Sequence, residues 1–502
     1  MFMESYFMGI DTGTQGVRIA VSDETGELLF EHEKKWETSF PQVGWAEQNP
    51  SDWWSAICGI FQEAAQSLGR EKMGRIRAGC VCATSSTVFP VNADGEPMRN
   101  ALMWMDARSR EEMDAINAAG HPVLDYCGGE TSFEWMIPKA LWLKRHEPEI
   151  YYSCYRIVEQ LDWINYRLCG EWSSSICNTT CKWNYVSSLG GYQRDYFEQI
   201  GFEDYEDKLV TRVDKIGDRV GYIRPELSEK YGFSKDMEIV QGGIDAHMAM
   251  FGLNVLRPGK LGIIMGTSFV HLCLSEEKPE MPGIWGPYDS AVLDHMWLLE
   301  GGQISASGLV NWFRENFHIP GENGNPYARL LDVPERIPIG ADGVTVLDFF
   351  QGNRTPYKDA SAKGVIYGLN VKHTWEHIYR AVLESVSYGT YNIICNYEKY
   401  GYRVDSITAC GGVTKDANWM QMISDITGKP VTVNRNSQAG ALGCCVAAAS
   451  AGRRYESFQE AAAHMVIPEK VIRPDMAKHK EYLPYFRKYL KLYENLKDFM
   501  RQ

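Results

Sequence analysis

The sequence contains an internal repeat whose two copies begin about half a chain length apart. Residues 9–24 and 262–277 align without a gap, and each copy is typical of a strand, a Gly-Thr turn and a second strand with alternating apolar residues. Two hairpins can resemble each other by chance, but an offset of half the chain favours a duplicated domain. The identities fall at Gly9/Gly262, Ile10/Ile263, Gly13/Gly266, Thr14/Thr267, Val17/Val270, Ser22/Ser275 and Glu24/Glu277.

A chain of 502 residues is too long for one hydrophobic core, so we expect two domains, at 1–253 and 254–502. Strands alternate with longer helical stretches, which predicts the α/β class. The last helix is rich in aromatic residues and amphipathic, and we expect it to pack across a domain surface. The clearest predictions are strands at 6–10, 17–22 and 27–33 and helices at 52–68, 376–397, 417–427 and 482–500.

Composition narrows the class of protein. The net charge is -14 and no basic stripe offsets it, which argues against a nucleic-acid partner. The chain has no run of eighteen apolar residues and does not open like a secretory signal, so we expect a cytoplasmic protein with no membrane partner. The thirteen cysteines lack metal-site spacing and are interpreted as reduced, mostly buried thiols.

The first repeat contains a glycine turn with an acid beside it. Such a turn leaves backbone N–H groups pointing outward, and glycines let phosphate oxygens approach, so Gly13, Thr14 and Gln15 are candidates for phosphate binding. Asp11 would repel a phosphate unless a cation lies between them, which predicts Mg²⁺. An ordinary hairpin turn is the alternative, because Asp and Gly are favoured in turns anyway.

The matching turn in the second repeat strengthens the phosphate hypothesis. Gly266, Thr267 and Ser268 stand where Gly13, Thr14 and Gln15 stand in the first copy, but Ile264 takes the place of the acid. We therefore expect phosphate binding by both turns and a cation only at the first.

Asp245 follows a double glycine and opens a predicted helix. A carboxylate beside an attacking hydroxyl would orient it and take its proton during phosphoryl transfer. The alternative is a simple helix cap, for which Asp is also favoured. His247, two residues later, is interpreted as a packing residue rather than as the base.

A third glycine turn, at Gly411 and Gly412, lies between a predicted strand and a helix that contains Asn418. Glycines allow a backbone to approach a flat heterocycle closely, although a helix-packing turn has the same pattern. The sequence has no P-loop and no dinucleotide-binding GxGxxG after a strand. Any ATP would therefore be bound by another architecture.

Several polar and aromatic residues have the chemistry needed to recognise a sugar, namely hydrogen-bonding side chains and aromatic faces. Taken singly, each of them is also explained by a surface salt bridge or a core tryptophan. The candidates are Trp104, Asp106, Arg108, Lys182, Glu300 and Gln303.

These motifs together resemble the FGGY family of carbohydrate kinases across essentially the whole chain, and the most specific match is the segment 364–384. The resemblance implies two duplicated ribonuclease-H-like domains of the actin/hexokinase superfamily, flanking a catalytic cleft that binds sugar and MgATP and closes during catalysis. It implies that Asp245 is the catalytic base and a metal-site residue and that Asp11 acts through Mg²⁺. Phosphates would be held by Gly13, Thr14, Gly266 and Thr267, and adenosine by Gly411, Gly412 and Asn418.

Within the family the chain looks most like the ribulokinases, through the segments 282–288, 297–303, 352–356 and the run that ends at Thr87. That resemblance implies a ketopentose near Lys182, Asp245 and Glu300, and Thr87 is a further substrate candidate. It is also compatible with a homodimer. The alternatives are a kinase for xylulose, ribitol, erythritol or glycerol, an actin-like ATPase without sugar kinase activity, and an inactive sugar-binding regulator.

Overall fold

The computed structural model describes residues 4–319 and 326–501, of which residues 326–328 are described by their backbone alone. The chain forms two compact units. The first unit comprises the chain up to Leu256, Gly286–Leu298 and Gln438–Ile467, and the second comprises Arg257–Trp285, Leu299–Ser437 and the chain from Pro468. The first division therefore falls after Leu256, close to residue 253. The sequence predicts one division at 253/254, whereas in the structure the later segments Gly286–Leu298 and Gln438–Ile467 also belong to the first unit.

The described residues contain short and long strands together with helices of up to 25 residues. The strands are β1 (Tyr6–Thr12), β2 (Gly16–Ser22), β3 (Leu28–Lys35), β4 (Glu47–Gln48), β5 (Ile76–Ala83), β6 (Val88–Val91), β7 (Ala101–Leu102), β8 (Arg156–Glu159), β9 (Ser174–Ser175), β10 (Tyr185–Val186), β11 (Gly191–Tyr192), β12 (Val213–Asp214), β13 (Arg219–Tyr222), β14 (Glu238–Val240), β15 (Lys260–Met265), β16 (Phe269–Ser275), β17 (Trp285–Asp289), β18 (Trp297–Gln303), β19 (Thr345–Leu347), β20 (Val365–Tyr367), β21 (Ser406–Cys410), β22 (Val431–Asn434) and β23 (Pro468–Ile472). The helices are α1 (Pro50–Met73), α2 (Arg110–Ala119), α3 (Met136–His146), α4 (Pro148–Ser153), α5 (Gln160–Cys169), α6 (Ile176–Lys182), α7 (Arg194–Gln199), α8 (Tyr205–Lys208), α9 (Pro225–Tyr231), α10 (Asp245–Gly252), α11 (Ala306–Asn316), α12 (Pro326–Leu331), α13 (Val333–Arg336), α14 (Trp375–Lys399), α15 (Ala417–Thr427), α16 (Ala439–Ala451), α17 (Phe458–Met465) and α18 (Met476–Met500).

Corresponding strands have the same order in the two large sheets, as the repeat predicts. The first has the order β3-β2-β1-β5-β14-β13, and the second contains β18-β16-β15-β21-β22-β23, with β17 beside β18. In both sheets the repeated hairpin is antiparallel, its first strand pairs in parallel with the next central strand, and the last pair is again antiparallel. The α/β class and the duplicated fold are therefore confirmed.

The predicted elements lie close to the observed ones. The helix predicted at 417–427 coincides with α15, and the helix predicted at 376–397 corresponds to α14. The helix predicted to end at residue 68 continues as α1 to Met73, with a break at Gly69, which has a φ of 74°. A break of this kind suits glycine because the left-handed region costs it little.

Helix α16 returns the chain to the first unit and packs against its central strand. A Cβ on Gly9 of β1 would lie 2.0 Å from the carbonyl oxygen of Ala441, and a Cβ on Gly443 would lie 2.0 Å from that of Met248 in α10. Glycines and the alanine-rich sequence of α16 therefore allow β1, α10 and α16 to approach closely. These are the elements that carry Asp11 and Asp245.

In the second unit the C-terminal helix α18 buries an aromatic stripe, consistent with the amphipathic pattern of its sequence. Tyr482, Phe486, Tyr489 and Tyr493 belong to the core of this unit. The hydroxyl of Tyr489 also donates a hydrogen bond of 2.7 Å to Asp348. The aromatic rings thus bury apolar surface while their polar ends find partners.

All thirteen cysteines lie within the described residues; none of them forms a disulfide, and ten are buried. Among the described residues, none of the helices has the length and apolar character needed to cross a membrane.

Candidate active site

The hairpin turn between β1 and β2 is held rigidly in the first unit. The N–H of Gly13 donates to the carbonyl of Gly16 at 2.9 Å, and the hydroxyl of Thr14 accepts a bond of 3.0 Å from the indole N–H of Trp104. The Thr14 carbonyl accepts further bonds from Gln48 and Trp36. A pocket of about 310 Å³ lies over this turn, and its lining residues are Asp11, Gly13, Thr14, Gln15, Gly16, Val17, Arg18 and Glu33.

Asp11 lies at the end of β1 with few neutralising partners. Its carboxylate accepts a weak bond of 3.3 Å from the thiol of Cys82, and the Arg18 guanidinium is 4.0 Å away and already paired with Glu33 at 2.7 Å. Burial raises the pKa of Asp11, and the contacts with Cys82 and Arg18 only partly oppose that effect. A Cβ on Gly440 would lie 2.5 Å from the carboxylate, so α16 needs glycine at this position.

Asp245 is the first residue of α10, whereas Ile244 occupies the N-cap position. Its carboxylate accepts a 2.7 Å bond from the N–H of Ala246, the second residue of the helix, but it does so from the first helical position and not from the N-cap position that a capping side chain occupies. Burial, followed by repulsion from Asp11, raises the pKa of Asp245 to about 7. The geometry therefore disfavours a simple cap and leaves a carboxylate that can exchange a proton near neutral pH.

Lys182 lies among aromatic rings in the first unit. Its ammonium nitrogen is 5.0 Å from the ring centre of Trp135 and 5.8 Å from that of Tyr288. The rings of Tyr126 and Trp297 also stack at 6.3 Å. An ammonium group among aromatic faces suits a ligand with several hydroxyl groups on an apolar carbon chain.

The predicted sugar ligands Asp106 and Arg108 are bound to each other. Arg108 donates to both carboxylate oxygens of Asp106, pairs with Glu47 at 2.8 Å and stacks at 3.7 Å over the ring of Trp45. Asp106 is fully buried and also accepts from the backbone N–H of Ala46 at 2.7 Å. These contacts give both side chains a structural role beside Trp104, with only Nη1 of Arg108 lacking a protein partner.

Thr87 is also buried. Its hydroxyl forms a 2.9 Å bond with that of Thr84, which donates to Gln160 at 3.1 Å. Its neighbour Ser85 donates to the buried carboxylate of Glu159. The bond between Thr87 and Thr84 therefore joins the two ends of the loop of residues 84–87, and Ser85 is the partly exposed residue of this loop.

The second repeat forms an equivalent turn in the second unit. The N–H of Gly266 donates to the carbonyl of Ser268 at 3.1 Å, and the Gly266 carbonyl accepts a 2.6 Å bond from the hydroxyl of Ser307. Gly266 and Thr267 are exposed. This turn opens onto a largely apolar pocket of about 570 Å³, lined by Met265, Gly266, Thr267, Ser307, Val310, Asn311, Arg314, Leu330, Leu331, Tyr379, Gly412, Val413, Lys415, Asp416 and Trp419.

The third glycine turn reaches the same pocket through Gly412. Gly411 has a φ of 104°, and a Cβ there would lie 2.3 Å from the Met265 carbonyl, whereas a Cβ on Gly412 would meet nothing within 4 Å. Gly411 thus lets the turn form, and Gly412 leaves open space in it. The side chain of Asn418 instead donates to the Leu331 carbonyl at 2.9 Å and does not line the pocket.

Two predicted sugar ligands lie on β18 in the second unit. Glu300 is half-buried. Gln303 is buried, and its amide donates to Asp348 and the Val386 carbonyl while its oxygen accepts from Thr390. These bonds account for the whole amide of Gln303, which has a structural role in this unit.

Comparison with known proteins decides the family. The chain matches the N-terminal domain of the FGGY family of carbohydrate kinases over residues 6–252 and the C-terminal domain over residues 261–452. The chain belongs to the FGGY family of carbohydrate kinases. It is 31% identical to the human FGGY carbohydrate kinase domain-containing protein, with 99% of this chain and 98% of the relative aligned.

The chain is also similar to kinases named for particular sugars. A ribulokinase of Bacillus licheniformis is 28% identical, with 90% of this chain and 89% of the relative aligned. The crystal structure of a xylulose kinase from Rhodospirillum rubrum superimposes with a TM-score of 0.88 at 21% identity, covering 99% of this chain and all of that one. The enzyme is thus a carbohydrate kinase, and these similarities leave its sugar open.

Family membership raises the question of whether the site fits Mg²⁺. Asp11 and Asp245 are carboxylates of one unit that repel each other, and the Arg18 guanidinium, 4.0 Å from Asp11, is shared with Glu33. A hard divalent ion prefers oxygen ligands and would relieve this repulsion. The two residues fit Mg²⁺, and the phosphates of a bound nucleotide would supply further oxygen ligands.

Lys139 of this FGGY kinase was not identified from the sequence. Its ammonium group is fully buried in α3 and donates to the carbonyls of Ser86, Met103 and Trp104, at 2.7, 2.6 and 3.2 Å. Burial lowers its pKa to about 7. A single lysine thus joins the loop of residues 84–87 to the segment that carries Trp104. The sequence signal that could have identified it is a charged residue inside an apolar helical segment, in Ile-Pro-Lys139-Ala-Leu-Trp.

Proposed function

We propose that this enzyme transfers the γ-phosphate of ATP to a hydroxyl group of a ketopentose such as ribulose, with Asp245 as the base. The single observation that carries the proposal is the state of Asp245. It is a half-buried carboxylate beside the acid-bearing glycine turn, and burial and the Asp11 carboxylate raise its pKa to about 7. A base is most effective when its pKa lies near the working pH.

In this proposal the remaining residues bind Mg²⁺, the phosphates and the adenine ring of the nucleotide. Asp11 holds Mg²⁺, which neutralises charge on the transferred phosphoryl group when bound. The backbones of Gly13, Thr14 and Gln15 and of Gly266, Thr267 and Ser268 bind phosphates. Gly412 leaves space for the adenine ring beside apolar side chains of the 570 Å³ pocket.

Lys182 and Trp104 are the proposed sugar contacts with the best geometry. Both are half-buried, and Lys182 lies over aromatic rings where it can donate hydrogen bonds to hydroxyl or carbonyl oxygens of a ketose. Glu300, which also shares the ribulokinase-like pattern, would accept from a sugar hydroxyl. Asp106, Arg108, Thr87 and Gln303 would act by holding the surrounding segments in place.

The experiment is a panel of sugars with MgATP, in which ADP release is followed for L-ribulose, D-ribulose, D-xylulose, ribitol, erythritol and glycerol. We expect one ketopentose to give the highest kcat/KM. A higher kcat/KM for glycerol or erythritol would overturn the ketopentose assignment but keep the kinase. Rapid ADP release that no sugar accelerates would favour an actin-like ATPase instead.

A further inference from the structure

Two cysteines and one histidine form a buried cluster in the first unit. Sγ of Cys177 is 3.1 Å from Nδ1 of His247, Sγ of Cys181 is 3.9 Å from the same nitrogen, and one ligand atom from each residue lies within 4.8 Å of the others. The cysteines are fully buried, and His247 is 1% exposed. None of the three has a role in the proposed phosphoryl transfer.

The cluster is built on regular, well-fixed structure. Cys177 and Cys181 are four residues apart on α6 and therefore share one face of that helix. Ser175 caps α6 by accepting from the N–H of Cys177 and donates to the Gly242 carbonyl. A Cβ on Gly243 would lie 2.8 Å from Cβ of Cys177, so the glycine pair before α10 lets α6 approach His247 closely.

The spacing of these atoms matches the ligand set of a small, soft metal ion. With bonds of about 2.3 Å to sulfur and about 2.0 Å to nitrogen, a tetrahedral Zn²⁺ holds sulfur and nitrogen ligands about 3.5 Å apart. The observed distances of 3.1 and 3.9 Å from sulfur to nitrogen lie on either side of that value. Small side-chain rotations would therefore bring all three atoms within bonding distance of one ion.

Charge also favours an ion of this class. Two thiolates and a neutral imidazole around one Zn²⁺ carry no net charge, which suits a site that excludes water. Binding would release two protons from the three side chains, because the ion takes two thiolates and a neutral imidazole. Asp11 and Asp245 offer only hard oxygen ligands, so the two sites prefer different ions.

We propose that Cys177, Cys181 and His247 form a binding site for one soft divalent ion, Zn²⁺ or its analogues Co²⁺ and Cd²⁺, separate from the Mg²⁺ site. Three protein ligands leave one tetrahedral position for a further ligand. The site belongs to the folded first unit, so a bound ion would stabilise the protein against unfolding.

The test uses Co²⁺, because thiolate ligands give it a near-ultraviolet charge-transfer band that oxygen ligands do not. We expect full-length, chelator-treated, reduced enzyme to bind one equivalent with this band and to lose the band when Zn²⁺ is added. The double variant Cys177→Ser/Cys181→Ser should lack the band, whereas Cys395→Ser, a half-buried cysteine of α14, should keep it. No band in the wild type, or an unchanged band in the double variant, would overturn the proposal.

A second measurement needs no variant and is independent of kinase activity. Crystals of the wild-type enzyme grown with Zn²⁺ should give an anomalous peak at the zinc edge within bonding distance of the two Sγ atoms and Nδ1 of His247. Absence of a peak there would show that the three side chains form only a hydrogen-bonded cluster.

Discussion

At the scale of single residues, the raised pKa of Asp245 makes its proposed role as the base testable through the pH dependence of the rate. A base must be unprotonated to accept the substrate proton, and burial and Asp11 both favour the protonated form of this carboxyl. We expect kcat/KM for the sugar to be flat above about pH 7 and to fall roughly tenfold per pH unit below it. Initial rates between pH 5 and 9 would measure this.

Mg²⁺ supplies a control for that explanation. A cation held by Asp11 offsets the repulsion that raises the pKa of Asp245, so higher Mg²⁺ should move the acid limb to lower pH. The same shift is expected for Asp11→Asn at fixed, low Mg²⁺, together with a weaker dependence on Mg²⁺. A limb that stays in place under both changes would mean that another group titrates.

The sequence identifies a candidate site residue more easily when a local sequence pattern determines its position than when contacts with distant segments do. Asp11 and Asp245 could be singled out because each lies near glycines in a local pattern, at the end of β1 and at the start of α10. The mutual pairing of Asp106 and Arg108, and the burial of Gln303, depend on segments distant in sequence such as Ala46 and Val386. The sequence alone therefore could not show that these side chains form hydrogen bonds within the fold.

At the scale of elements, Lys139 holds two loops of the first unit to helix α3. We expect Lys139→Met to lower the free energy of unfolding by roughly 2–4 kcal/mol, because three buried carbonyls lose their donor. Thermal unfolding would measure the loss. Lys72→Met, at an exposed position near the end of α1, is the control and should unfold like the wild type. Equal stability of both variants would mean that water replaces the ammonium group at no cost.

The third glycine turn offers a matched pair of variants. Gly411→Ala places a methyl group 2.3 Å from the Met265 carbonyl at a φ of 104°, so it should lower Tm and weaken ADP binding. Gly412→Ala meets nothing within 4 Å and should keep Tm while weakening ADP binding, because its methyl group enters the pocket.

Calorimetric unfolding and ADP titration of the two variants separate the roles of these glycines. Unchanged ADP affinity in Gly412→Ala would remove this turn from the nucleotide site. An unchanged Tm in Gly411→Ala would contradict the strain argument.

Elements were predicted well where their signal is local. The repeated hairpins, α14 and α15 follow from alternation, capping residues and helical periodicity. Helix α16 is different: its small residues indicate close packing but not the partner, and its return to β1 and α10 depends on contacts between segments hundreds of residues apart. That return explains why a division of the chain at one point described the units incompletely.

At the scale of the whole molecule, the two units have the same order of strands in their large sheets but different residues around their glycine turns. Both units present a glycine turn at the same place, but the first unit alone carries Asp11, and Asp245 lies in that same unit. The apolar 570 Å³ pocket lies in the second unit. The two similar turns thus differ in their surroundings: the first has an acid beside it, and the second opens onto an apolar pocket.

The central claim is that Asp245 takes the proton from the sugar hydroxyl, and Asp245→Asn tests it most directly. The amide keeps the shape of the side chain but cannot act as the base, so we expect kcat to fall by about 10²–10⁴-fold. Sugar affinity, measured by calorimetry without nucleotide, should stay within about twofold of the wild type. A variant that binds the sugar normally and turns over at nearly the wild-type kcat would contradict the claim.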